Sequence, residues 1–295
     1  MRNTMFGLLV MLPSVLAAQG TSMTMDHGAM TMPMAAPLTQ HVKDQIAAAK
    51  KAAAELDTPE KARAAGYRPR FGDVPLQGEH WTNPILVLKG TFDIDHPPML
   101  MFAPVGGEQK LLGVAYAYSV KTGDPMPDGF DGAAMWHEHP ALSLPGAKLV
   151  MTHVWFVDSP NGVFAHDNPT LAFMERGIGY PPDGWLDAPT TRKLALTLQL
   201  AQRPSAGASR AISGPRNDSL VAVFAHQREE VDSMVPQLEA ARRAGNRVVY
   251  KAVAVKIGGR ADEIMATVKQ VPTDPAARAL LSKLIDEALG DHDHH

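Results

Sequence analysis

Between Tyr67 and Phe173 the sequence consists of short apolar or alternating runs, separated by Gly, Pro, Asp and Asn. Short runs with turn residues between them are typical of antiparallel strands. We expect strands at residues 85–88, 99–103, 110–120 and 148–157. Gly106 and Gly107 favour a hairpin turn between the second and third of these strands. The pattern predicts an antiparallel sheet, arranged as a small barrel or a sandwich.

Helical patterns flank this region on both sides. Residues 40–56 are rich in Ala, Lys and Glu, and a short second helix is expected from Thr58, which can accept from freed backbone amides ahead of Pro59. After the sheet, helices are expected at 190–201, 219–243 and 274–289. Pro236 is expected to bend or break the second of these three, and Val-rich residues 247–257 fit helix and strand equally. The fold class is therefore α+β.

The first residues have the pattern of a signal peptide. Arg2 precedes an apolar run from Met5 to Leu16, which small residues follow. The run is too short for a stable membrane anchor, and no later segment reaches that length. We expect an exported protein, periplasmic or extracellular, with no transmembrane segment in the mature chain.

The chain is expected to divide into seven segments. These are a signal peptide at 1–18, a flexible Met- and His-rich tail at 19–38, a helical segment at 39–66, an antiparallel β domain with a His cluster at 67–175, an irregular or helical linker at 176–217, a helical region at 218–290 and a His-rich tail at 291–295. The linker contains a stretch dense in Ser, Gly, Pro and Ala, which is typical of a domain boundary.

Three residue counts limit the chemistry, since the 295 residues include 0 Cys, 16 Met and 12 His. A chain without Cys has no disulfides, no thiolate zinc site, no iron–sulfur cluster and no cysteine nucleophile. Soft-metal chemistry must therefore use Met and His. The formal charge of -3 gives no basic excess for a phosphate backbone, so nucleic acid is not an expected partner. A metal ion or a small molecule remains, and protein partners stay unknown.

Four His side chains are the predicted metal ligands. His137 and His139 are two residues apart, so in an extended segment both imidazoles project from one face. His153 lies in the middle of an apolar strand, where an imidazole needs a hydrogen bond or a metal ion. His80 adjoins a carboxylate and is the fourth candidate. We predict a copper or zinc ion at this site.

Three further residues are predicted to support these ligands as hydrogen-bond partners or as bases: Glu138, Glu79 and His166. Other interpretations stay open at this stage. The His137 and His139 pair also fits a solvated loop or an acid–base role toward a substrate. His153 alone fits a core histidine with a satisfied hydrogen bond.

Six residues of the N-terminal tail form the second candidate metal-binding feature: Met23, Met25, His27, Met30, Met32 and Met34. Thioethers are soft ligands that favour Cu(I). The tail resembles the Met- and His-rich segments of periplasmic copper-resistance proteins, and that resemblance implies copper capture. The alternative is a low-complexity linker in which Met is only a flexible apolar residue.

The cupin motifs are matched only in part. Gly132 followed by His137 and His139 resembles the first cupin motif, and residues 160–168 resemble the second. The first motif lacks its Glu after the His pair, and His166 comes late in the second. The metal ligands of cupins therefore cannot be assigned residue by residue to this sequence.

Residues 58–169 resemble a family of exported bacterial proteins that has no assigned activity. The resemblance is carried by segments 59–67, 78–84 and 111–116, by His-Val-Trp at 153–155, and by Asn-Gly-Val-Phe at 161–164 followed by Asn-Pro at 168–169. It implies that His80 and His153 belong to one site.

Three functions follow from these patterns. The first is exported metal handling, through a His site on the β domain and a Met/His tail. The second is a metal-dependent enzyme, a cupin-like hydrolase or oxygenase with an open His-ligated site. The third is a periplasmic interaction module in which the histidines are incidental.

Overall fold

The computed structural model describes residues 37–202 and 218–270, together with separate positions between 275 and 283. The predicted signal peptide, the Met-rich tail up to residue 36, residues 203–217 of the linker and the His-rich C-terminus lie outside the described residues. Most residues of the helix expected at 274–289 also lie outside the described residues. From Leu38 onward the described residues belong to one compact unit.

Helices and strands follow one another in an α+β arrangement. In chain order they are α1 (Gln40–Ala54), α2 (Pro59–Ala64), β1 (Arg68–Val74), β2 (Gly78–Thr82), α3 (Pro84–Lys89), β3 (Met99–Val105), β4 (Glu108–Lys121), β5 (His137–Glu138), β6 (Ala147–Trp155), α4 (Thr170–Arg176), α5 (Ala188–Gln202), α6 (Asp218–Arg243), α7 (Arg247–Gly258) and α8 (Ala261–Gln270). The predicted fold class, an antiparallel sheet flanked by helices, is confirmed.

The strands form one antiparallel sheet in the order β1-β2-β3-β4-β6-β5. The sheet is open, with β1 and β5 at its edges. The expectation of a barrel is therefore wrong, because these two edge strands do not pair with each other. A sandwich is not formed either, since the described residues contain a single sheet.

Strands β3, β4 and β6 begin and end within two residues of the predicted positions. The hairpin between β3 and β4 turns at Gly106 and Gly107, whose φ angles of 65° and 86° are both left-handed. Two consecutive residues with positive φ suit glycine and match the twist of the flanking strands. The edge pair β1 and β2 was not predicted, because residues 68–74 show no clear alternation.

The strand predicted at residues 85–88 is wrong, because these residues lie in helix α3. The side chain of Asn83 accepts from the N–H of Ile85 and Pro84 occupies the first turn, so local capping starts a helix. A short apolar run does not distinguish the two states. Pro236 was expected to bend or break its helix; α6 continues through it without a break, and the bend stays a prediction.

Each face of the sheet packs against a different apolar cluster. One face contributes Tyr116, Tyr118 and Val154 to a core shared with residues of α1. The opposite face contributes Met99, Met101, Ala115 and Met151, packed with Leu171 of α4. Helices α4 to α8 build a third cluster of buried side chains.

None of the helices in the described part of the chain combines the length and the apolar character that a membrane span needs.

Candidate metal centre

Five histidines gather on the sheet face that carries the methionines. His80 lies on β2, His137 on β5 and His153 on β6, and the two others follow β5 and β6 in sequence. The register places His80 opposite Met101 and His153 opposite Ala115. His137 lies opposite Met151, so alternation along the strands directs all three imidazoles to one face.

Side chains from β2 and β6 must reach across two intervening strands for the cluster to form. Strands β2 and β6 are separated by β3 and β4, so a flat sheet would hold them about 14 Å apart. Strand β4, which crosses between them, presents only small residues at this point: Gly113, Ala115 and Ala117. A Cβ at Gly113 would lie 2.5 Å from the Val154 carbonyl oxygen and 2.7 Å from the Met101 terminal methyl. The absence of that atom leaves room for side chains of neighbouring strands.

Three of the histidines lie close enough together to hold a single ion. The ligand nitrogens of His137, His139 and His166 all lie within 4.8 Å of one another. The ring centroid of His137 lies 4.8 Å from that of His139 and 4.4 Å from that of His166. His139 is buried, whereas the other two are partly exposed, so the triad opens toward the surface. Such a group can hold a metal ion.

The other two histidines form a fully buried pair beside the triad. The Nε2 atoms of His80 and His153 lie 3.4 Å apart, and their side chains are almost without solvent contact. The His153 ring is 5.3 Å from that of His137 and 5.7 Å from that of His166, centroid to centroid. The two residues that the resemblance implies for one site are therefore in contact, and the site itself stays a prediction.

The loop after β6 holds His166 over the sheet through hydrogen bonds on both sides. Trp155 Nε1 donates to the Ala165 carbonyl at 2.7 Å. The neighbouring Asp167 accepts from Asn161 at 3.1 Å and from Arg192 of α5 at 2.8 Å. These contacts fix the backbone on each side of His166. The sequence analysis predicts a supporting role for His166, yet its ring lies among the ligand candidates.

Gln77 is a site residue that sequence reasoning missed. Its Nε2 atom lies 3.3 Å from Nδ1 and 3.2 Å from Nε2 of His166, and the side chain is buried. It follows Leu76, whose φ of 61° is left-handed, in the turn between β1 and β2. A glutamine in a turn carries no sequence pattern that separates it from a surface residue, so only the fold connects it with His166.

Burial keeps the imidazole pair neutral. Loss of hydration lowers the pKa of His80 to about 4, with a further lowering from His139 and an opposing effect of the Gly78 backbone. The pKa of His153 is lowered well below its ordinary value, first by burial and then by the four histidines around it. Neutral imidazole is the form that binds metal ions, and it suits copper and zinc among others.

The two glutamates predicted as partners or bases lie away from the imidazoles. Glu79 pairs with Phe102 and accepts from Trp81 Nε1 at 2.8 Å, on the opposite face of the sheet. Glu138 pairs with Val150 and forms an ion pair with Lys148. Strand alternation separates each glutamate from its neighbouring histidine. The structure therefore brings the predicted histidines together without these two carboxylates.

The Met and His residues of the N-terminal tail lie outside the described residues. No protein-family model, curated protein or solved structure matches the chain. The assignment of a function therefore depends on the geometry of the histidines themselves.

Proposed function

We propose that this chain is an exported metal-binding protein that holds a copper or zinc ion with His137, His139 and His166. The observation that carries the proposal is the convergence of their three ligand nitrogens within 4.8 Å. Zinc and copper accept three imidazoles with a fourth position for another ligand. The partly exposed side of the triad gives an ion a route of entry.

The proposal of export and of copper handling draws on the sequence. The signal-peptide pattern of residues 1–18 supports export, and five Met within residues 23–34 support capture of Cu(I). A thioether does not titrate, so the Met ligands of the tail stay available over a wide pH range. The imidazole cluster would then receive an ion that the tail collects.

The test of the metal site is the metal content of the full chain, purified without a tag from its own compartment. We expect about one equivalent or more of copper or zinc by mass spectrometry. The variant His137→Ala with His139→Ala should lose that equivalent while keeping its circular dichroism spectrum. The tails are present in both chains, so the difference reports on the triad alone.

A matched control removes two histidines outside the cluster. His96 and His226 are 63% and 74% exposed, and each pairs with a nearby carboxylate. The variant His96→Ala with His226→Ala should keep the full metal content. A wild-type chain that holds neither copper nor zinc above background would overturn the proposal, as would equal metal content in both double variants.

The hydrolase or oxygenase alternative has less support. A metal-bound water needs a nearby base for proton transfer, and the two glutamates expected in that role face the opposite side of the sheet. We therefore propose binding and transfer of the ion, rather than catalysis, as the function of the cluster.

A further inference from the structure

The buried pair, His80 with His153, has the spacing of two ligands on one ion. Metal–nitrogen bonds of about 2.0–2.1 Å place two imidazole nitrogens of a tetrahedral ion about 3.3–3.4 Å apart. The observed separation of the two Nε2 atoms is 3.4 Å. A long hydrogen bond between two neutral imidazoles spans a similar distance, so the surroundings of the pair must distinguish the two cases.

His153 is buried without a second partner. Its Nδ1 atom makes no hydrogen bond within the described residues, although the side chain has no solvent exposure. The hydroxyl of Thr82, on the same face two residues beyond His80, is also buried and without a hydrogen bond there. Buried polar atoms without partners are costly, and a cluster of them is typical of a site that binds a ligand.

Two methionines lie on the same face as the pair. The register forms one cross-strand row of Thr82, Met99, Ala115 and His153, and the adjacent row runs from His80 through Met101 to Gly113. The terminal methyl of Met101 would lie 2.7 Å from a Cβ at Gly113, so this side chain extends from β3 over β4. This side chain therefore lies over the strands that separate β2 from β6, the two strands that carry the imidazoles.

We propose that His80 and His153, together with the thioethers of Met99 and Met101, form a second metal site that takes Cu(I). This inference rests on the proposed function, since it adds a second ion to the cluster described above. Neutral nitrogen and sulfur donors in a buried, uncharged environment favour a soft monovalent ion, whereas the three imidazoles of the partly exposed triad accept copper or zinc. The two sites would thus differ in softness and in burial.

The experiment counts Cu(I) in the full chain under anaerobic conditions. In the background, Leu replaces Met23, Met25, Met30, Met32 and Met34, so that the thioethers of the N-terminal tail do not contribute. We expect two equivalents of Cu(I) in this background and one after His80→Leu. The variant His137→Ala with His139→Ala should also hold one equivalent. If each variant keeps one of the two Cu(I) equivalents, the chain has two separate sites.

The variant Met101→Leu conserves volume and tests the thioether without disturbing the imidazoles. We expect Cu(I) affinity to fall about tenfold in competition with a chromophoric chelator, with zinc affinity unchanged. Unchanged Cu(I) affinity would show that the Met101 thioether is not a ligand and would overturn this part of the proposal. If His80→Leu fails to fold, the Cu(I) affinity of Met101→Leu tests the second site instead.

Two further outcomes separate this inference from the proposed function. One equivalent in the background chain, unchanged by His80→Leu, would mean that the pair is only a hydrogen bond; the second site would be refuted and the triad would stand. Absence of both Cu(I) and zinc from the background chain would overturn the two proposals together.

Discussion

Gln199 on α5 accepts a hydrogen bond of 2.6 Å from the backbone N–H of Leu76, in the turn between β1 and β2. The same side chain donates to Glu175 of α4 at 2.8 Å. Both Leu76 and Gln199 are fully buried. One glutamine therefore connects the edge of the sheet with the helical part of the protein, at the turn that also carries Gln77.

Replacing this glutamine should destabilise the fold. Gln199→Leu leaves the buried N–H of Leu76 without its acceptor, at a cost of about 1–3 kcal/mol in the free energy of unfolding. Urea denaturation of the metal-free chain measures the effect. Gln270→Leu, at an exposed position at the end of α8, serves as the control and should change the free energy by less than about 0.5 kcal/mol. Equal midpoints for the two variants would contradict the connecting role of Gln199.

Gln77, in the same turn, should affect the metal affinity of the triad. Gln77 lies within hydrogen-bonding distance of both ring nitrogens of His166, and groups that orient a ligand change metal affinity by about 10–100-fold. Gln77→Leu should therefore lower zinc affinity about tenfold while the stoichiometry stays the same. Isothermal titration calorimetry gives both quantities. The exposed Gln109→Leu on β4 should leave both unchanged, and an unaltered affinity in Gln77→Leu would show that Gln77 does not orient the ligand.

Stability of the metal-free chain should fall in mild acid. The folded chain holds His80 at a pKa of about 4, against 6.5 when unfolded, so between these pH values the unfolded chain binds a proton that the folded chain does not. The contribution of His80 to the free energy of unfolding is therefore fully present above about pH 6.5, decreases as the pH falls and is lost below about pH 4. His80 contributes about 3 kcal/mol to this decrease.

Urea midpoints between pH 4 and pH 7.5 measure that dependence. In His80→Leu the free energy of unfolding should fall less at acid pH. Part of the fall should remain, because burial lowers the pKa of His153 as well. His96→Ala, an exposed residue paired with Asp93, should keep the wild-type profile. A flat profile for the wild-type chain would be inconsistent with a buried neutral pair.

The N-terminal tail should distinguish copper from zinc. Replacing Met23, Met25, Met30, Met32 and Met34 with Leu removes soft sulfur ligands but keeps the length and apolar character of the segment. We expect the full chain to lose Cu(I) equivalents and to keep its zinc content. Chelator competition for each ion measures this difference. Equal Cu(I) content before and after replacement would favour the linker interpretation of the tail.

Local patterns predict the elements whose periodicity or capping is distinctive. Strands β3, β4 and β6 alternate or are continuously apolar, and α2 begins where Thr58 caps the N–H of Lys61. Helix α3 was missed because capping by Asn83 outweighs the strand propensity of the short run that follows. The Val-rich segment that fitted either state is helix α7, whose buried residues Tyr250, Ala254 and Ile257 pack with the other helices.

The site was predictable only as far as its parts lie close in the sequence. The spacing of His137 and His139 indicates a shared face without any knowledge of the fold. The contact of His80 with His153 depends on the order of four strands and on small residues in β4, which no local pattern reports. Gln77 and His166 belong to loops, where position is set by contacts such as that of Asp167 with Arg192.

The His80–His153 contact joins residues 73 positions apart in a chain with 0 cysteines. An ion shared by these imidazoles would act as a reversible cross-link between β2 and β6, closing a loop of the length that a disulfide closes in other proteins. Such a loop closure stabilises by restricting the unfolded chain, and here its strength would vary with the free metal concentration. The supply of metal would then set the stability of the fold. The protein would lose this cross-link whenever it releases its ion.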